Sequence, residues 1–200
     1  MISMDEEKLL DCLRGLGCNV DSMSRLVSLG VKYDDAIPVL LEALQSTADE
    51  SLREWCARAL SLPWVEDEVV EALIEQFALG DHGNLRRSGT QWAIGNTLWS
   101  TWRDSYFDDY GTLAQSRQFG TSRRMVVLGF EKTRLKDRAV RVLLSLLDDQ
   151  DVNGHAVAAI AKLGQESGRR ALEDAVDDPR RWVRNAAKRG VITLEKLAEK

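Results

Sequence analysis

Two rows of residues at a recurring place in the chain are the ones best suited to chemistry. The first is Arg53, Arg86, Arg123, Asn153 and Arg184; the second, one residue on, is Glu54, Arg87, Arg124, Gly154 and Asn185. A guanidinium carries five N–H donors in a planar fork, so it either holds carbonyls and aspartates inside a fold or grips carboxylates on a partner. The first row suits the structural role. The second is less easily explained by packing, and with Arg181, Lys188 and Arg189 it makes the later part of the chain's inner surface basic. The candidate partner-binding residues are therefore Arg87, Gln91, Arg124, His155, Arg181, Arg184, Asn185 and Lys188.

Other residue types give weaker signals. Trp92 and Trp99 are seven residues apart, two helical turns, with Trp102 just beyond; core packing is their plain reading, and an aromatic binding groove the alternative. His155 lies among small residues, and no sequence pattern gives it the hydrogen-bonded partner that a general base needs. The pairs Asp34-Asp35, Asp108-Asp109, Asp148-Asp149 and Asp177-Asp178 read as helix caps, because adjacent residues on a helix do not face each other. Cys12, Cys18 and Cys56 have no CxxC spacing, and His82 and His155 are far apart, so buried free thiols and no zinc site are expected. The sequence lacks the phosphate-loop, nucleophile-elbow and HExxH signatures. No catalytic residue, cofactor or metal is predicted.

The elements that position these residues repeat. Segments beginning at Leu52, Leu85, Ser122, Val152 and Val183 are spaced by 33, 37, 30 and 31 residues. Offsets of 4, 7 and 8 from each start are small or apolar in nearly every copy and share one helix face. Partner helices are predicted at Ala36–Gln45, with Pro38 in the first turn, and at Val65–Leu79, Ala139–Leu147 and Gly168–Val176. Tyr106–Phe119, polar and aromatic, is expected to be a helix with irregular ends. Asp151 is predicted to cap the helix that follows it, Asp178 to cap one with Pro179 at its first position, and Gly80 and Gly164 to end helices. Asp5–Leu16 and Ser22–Leu29 precede the repeats as two further helices. This predicts an all-α, right-handed α-solenoid of about five helix pairs over residues 31–200, closed by an N-terminal helical cap over residues 1–30.

Composition sets the remaining bounds. Of 200 residues, 44% are hydrophobic and 30% charged, with a net charge of −5. Residues 1–100 hold 8 Lys+Arg against 17 Asp+Glu, and residues 101–200 hold 19 against 15, so −9 is followed by +4. Such asymmetry suits a two-signed interaction surface more than nucleic-acid binding. No apolar run approaches the roughly 18 residues of a membrane span. The first eight residues carry no apolar signal region, which predicts a cytoplasmic protein.

From Tyr33 to Leu197 the chain resembles the bacterial HEAT-repeat proteins, a group that includes the phycobilisome-lyase-type repeats. Asp35–Leu44, Gln91–Asn96, Leu146–Leu163 and Asp177–Lys188 carry the likeness. The resemblance implies an arginine–aspartate ladder through Arg53, Arg86, Arg123 and Arg184, with Asp49 and Asp149 as the aspartates that fit. The repeat fold, the two-signed surface and the lack of catalytic motifs predict a non-enzymatic protein-interaction scaffold that binds on its concave face; the basic rows predict a protein partner with an acidic segment, and a monomer is expected. An alternative is a HEAT-like DNA glycosylase, of which Trp99, Trp102 and Asp104 are loosely reminiscent. Another is self-assembly through a C-terminal seam of Val191, Leu194 and Leu197.

Overall fold

The computed structural model describes residues 4–80 and 89–199. Contacts divide the chain into two units, Met1–Thr101 and Trp102–Lys200, each with its own core. Among the described residues every regular element is helical, and no helix is long and apolar enough to cross a membrane.

The first unit opens with α1 (Glu6–Gly15), started by the Asp5 carboxylate, which accepts from Lys8 N at 3.0 Å. Leu9, Leu10 and Leu13 form its buried stripe, which leaves Cys12 exposed rather than buried and Leu16 in solvent. Next come α2 (Met23–Val27) and α3 (Ile37–Ser46), the latter with Pro38 in its first turn, where a missing N–H costs no helical bond. Asp49 caps α4 (Glu50–Ala59) by accepting from Leu52 N at 3.1 Å. The unit ends with α5 (Asp67–Leu79) and α6 (Gly89–Ser100). α1 packs on α3 and α2 on α4. α4 and α6 meet closely: Thr97 Oγ1 donates to the Ala57 carbonyl at 2.7 Å, and Thr90 Oγ1 to that of Glu50 at 3.1 Å.

The second unit holds α7 (Phe107–Gln115), α8 (Arg124–Gly129), α9 (Lys136–Leu144), α10 (Asn153–Leu163), α11 (Arg169–Asp174) and α12 (Arg181–Ala198). α7 packs on α8, α9 on α10 and α11 on α12, and α10 lies against both α8 and α12. Small residues permit this approach. A Cβ on Gly190 of α12 would stand 2.7 Å from Leu172 Cδ1 and 2.9 Å from Ala161 Cβ. The irregularity expected after Tyr106 is a 3-10 stretch, Arg117–Arg123, broken at Gly120, whose φ is 48°. Gly80 and Gly164 end α5 and α10 with positive φ, as predicted.

Several local readings are corrected. Asp151 does not cap α10: Val152 occupies that place, and it is Asp149 that turns the chain by accepting from Asp151 N at 3.1 Å. Asp178 does not cap α12 either, because its carboxylate takes Arg180 N and the Arg180 guanidinium, and the helix begins two residues past Pro179. In the second repeat the register shifts by one. Trp92 is 43% exposed, while Thr90, Ala93 and Ile94, at offsets 4, 7 and 8 from Arg86, are buried. The count therefore aligns Arg87 with Arg53 and Arg123, although Arg86 and Arg87 themselves lie outside the described residues, as does His82. Leu194 is buried within its own unit and Val191 half-buried, so of the expected C-terminal seam Leu197 alone is exposed.

The arginine row is structural where it is described. Arg53 Nε donates to the Leu44 carbonyl at 3.3 Å and Arg123 Nη1 to that of Ala114 at 2.8 Å, each reaching nine residues back to the end of the preceding helix. Those last carbonyls have no partner inside their helix. Arg184 does similar work on the Asp178 carbonyl at 2.7 Å. Arg123 is 0% exposed and also donates to the Gly120 carbonyl and to Asp149 Oδ2, the latter at 2.9 Å. Asp149 is itself buried; burial raises its pKa, but the hydrogen bonds from Arg123 and the backbone outweigh this and hold it below the ordinary value of 3.8. Removing one partner of such a pair leaves a buried charge uncompensated. Arg123→Ala is thus expected to cost about 3 kcal/mol in urea unfolding at pH 7. With Asp149 depressed in the fold, the pair's contribution is full above the unfolded aspartate value and fades as pH falls through the folded one. A wild-type-minus-variant difference that failed to shrink below pH ~4 would contradict this assignment.

Candidate functional site

The structure gathers one cluster in the second unit. Arg124 projects from the start of α8, and its Nε donates to the Asp151 carbonyl at 2.8 Å. That bond fixes the guanidinium and leaves both terminal nitrogens without a partner among the described residues. Asp151, Gly154 and His155 come from the turn before α10 and its first turn, and Arg180 and Trp182 from the start of α12. Together they line a pocket of about 350 Å³.

Each member is held by local chemistry. Arg180 is spent within the fold: it grips Asp178 through Nε and Nη2 and donates from Nη1 to Asn153 Oδ1 at 2.8 Å. Trp182 is 46% exposed, yet its indole lies against α10, where a Cβ on Gly154 would come within 2.7 Å of the ring. The His155 ring sits 5.0 Å from the indole, centroid to centroid. Burial, and then the charges of Arg124 and Arg180, push the His155 pKa down to about 4, so the imidazole is neutral at physiological pH.

The predicted site residues separate into groups. Arg124 and His155 share the pocket. Arg181, Asn185 and Lys188 stand exposed along α12, at the i, i+4, i+7 spacing of one face. Arg184 is half-buried and turned to the carbonyls of Asp178 and Pro179. Gln91 belongs to the first unit, where its amide donates to the Phe77 carbonyl at 3.0 Å. Arg87 lies outside the described residues.

The sequence reading missed Asp151, Arg180 and Trp182. One signal was available: Gly154 interrupts a row that other repeats fill with Glu54, Arg124 and Asn185, and a glycine there makes room for an aromatic ring.

Of the residues of the glycosylase alternative, Trp102 and Asp104 serve the fold. Trp102 stacks on Tyr110 at 4.2 Å, and the Asp104 carboxylate accepts from Trp102 Nε1, Thr133 Oγ1 and Arg134 N.

In the first unit Arg58 lies 5.7 Å from the Trp55 ring and 5.2 Å from that of Trp92, and its guanidinium pairs with Glu54.

No family model matches the sequence, and no curated protein does. Solved structures do match. An engineered protein from the Northeast Structural Genomics Consortium is 16% identical, with a TM-score of 0.56 over 95% of this chain and 96% of its own. A designed armadillo repeat protein is 20% identical, with a TM-score of 0.50 over 96% of each chain. A second engineered protein from the same consortium, 15% identical and also at 0.50, is matched over 94% of this chain and 57% of its own. Likeness at such identity speaks to fold alone. The fold is an all-α helical-repeat solenoid.

The neutral His155 gives a pH signature. Its folded pKa lies below the unfolded value of 6.5, so the unfolded chain takes up a proton between pH 6.5 and about 4 that the folded one refuses. Stability from this residue is present above pH 6.5 and is lost across that window as pH falls. His155→Gln should lose less stability than wild type in urea unfolding between pH 7 and pH 4.5; equal losses would contradict the assignment.

Proposed function

We propose that this protein is a non-enzymatic scaffold that binds a partner protein on the second helices of its repeats, and that the partner presents an acidic segment. A helical-repeat fold suits a binding scaffold generally, since stacked repeats expose an extended surface of one face of each unit. The observation that carries the finer reading is the charge on α12. Arg181, Arg184, Lys188 and Arg189 fall within its first nine residues, and no carboxylate follows before Glu195. Arg181, Lys188 and Arg189 are exposed and have no ion-pair partner among the described residues. Arg181, at the first position of α12, also opposes the positive end of the helix dipole, so its presence there is explained better by a partner than by stability.

In this reading residues 1–30 cap an array that runs from residue 31 to 200, and the repeats are of the bacterial HEAT type. The Arg123–Asp149 pair, joining an arginine at the entry to a second helix to an aspartate of a turn, supports that assignment. Binding is to a protein rather than to nucleic acid, since a chain of net charge −5 lacks the overall basic balance of a nucleic-acid binder, and the site of action is the cytoplasm.

The test is capture from native extract with wild type and Arg181→Glu/Lys188→Glu, read by mass spectrometry after circular dichroism has shown equal helicity. Proteins with acidic segments should be retained by wild type and lost from the variant. Retention of the same proteins by both would place the site elsewhere.

A further inference from the structure

The pocket beside α12 has a composition that specifies its occupant more narrowly than a basic surface does, and its assignment rests on the acidic-partner reading. Arg180 is neutralised by Asp178 and fixed by Asn153. The Asp151 carboxylate leans toward Arg123, with Oδ2 4.0 Å from Nη2. Asp151 is not neutralised by this, because Arg123 is already taken by Asp149. His155 carries no charge at neutral pH. Arg124 is the pocket cation whose two terminal nitrogens are unpartnered among the described residues, with its orientation set by the Asp151 carbonyl. The free fork of one fixed guanidinium matches one carboxylate, and the Asp151 carboxylate in the pocket lining repels a phosphate dianion more strongly than a singly charged carboxylate. The Trp182 indole, pinned over Gly154 and half open to solvent, forms an apolar wall for a short methylene stem.

We infer that this pocket is the anchor for one glutamate side chain of the partner's acidic segment, its carboxylate taken end-on by Arg124 and its stem laid against Trp182. The exposed cations of α12, Arg181 and Lys188, then meet the residues that flank this glutamate and contribute attraction without fixing register. His155 reports occupancy, because a carboxylate entering beside it favours the imidazolium. The charged groups that bear on it are Arg124 from α8, Asp151 from the turn before α10, and Arg180 from the turn before α12. Its pKa therefore rises from about 4 when the anchor is seated.

A fluorescein-labelled deca-glutamate peptide is the probe, with affinity read by anisotropy and the His155 ring by NMR, assigned through His155→Gln. The expected result is binding to wild type with an upward shift of the His155 pKa. Arg124→Gln should weaken binding roughly ten-fold and abolish the shift. Arg181→Gln/Lys188→Gln should weaken binding while the shift persists at saturation. If the peptide binds wild type and Arg124→Gln equally and His155 does not respond, the anchor is overturned and the acidic-partner reading stands. If the peptide fails to bind wild type at low salt, the acidic-partner reading falls and the anchor falls with it.

Discussion

The carbonyls at the end of each first helix set a problem that shapes the repeat. They have no partner within their own helix. Arg53 and Arg123 solve it by reaching back nine residues, to Leu44 and Ala114. At Arg123 the solution is complete: three acceptors, Gly120, Ala114 and Asp149, take a guanidinium with no exposure to solvent. This ties the end of α7 to the start of α8 and to the turn before α10. Arg124 follows directly in sequence and is thereby set on the edge of the pocket. In the first unit two carbonyls of α4, those of Glu50 and Ala57, are met differently, by Thr90 and Thr97 of α6.

Close packing and surface chemistry are coupled through the same small residues. Gly190 lets α12 settle on α10, which brings Trp182 onto Gly154 and Arg180 onto Asn153. The result is a surface where some charges are consumed by the fold and others are left over. Arg123, Arg180 and Arg184 are consumed. Arg124, Arg181 and Lys188 are left over, and they are what a partner would meet.

Much of this was legible in the sequence, for a definite reason. Burial at a constant offset is a periodic signal, and Cys56, Leu60, Val126, Phe130, Ala156 and Ile160 all lie in the core as the offsets require. The structural role of the arginine row was legible because its spacing repeats. The second repeat was misread by one residue because Trp92, large and apolar, looked like core; a half-exposed indole beside Arg58 has the same letter as a buried one. The caps failed where two aspartates compete for one turn. Asp149 rather than Asp151 organises the entry to α10, and Asp178 is claimed by Arg180. Which of two nearby carboxylates wins depends on an arginine 26 residues away in one case, and that is tertiary information. The pocket was half legible: Arg124 follows from its row and His155 stood out as a histidine among small residues, but Arg180 and Trp182 precede Val183, the first aligned position of their repeat, where no pattern recurs.

The central claim is that the second helices of the Trp102–Lys200 unit present the binding face. Hydrogen–deuterium exchange of the protein with and without a glutamate-rich peptide tests it most directly. The account predicts added protection at the start of α8, in the turn before α10 and over the first two turns of α12, with α7, α9 and α11 unchanged. Protection confined to those three helices, or to the Met1–Thr101 unit, would contradict it.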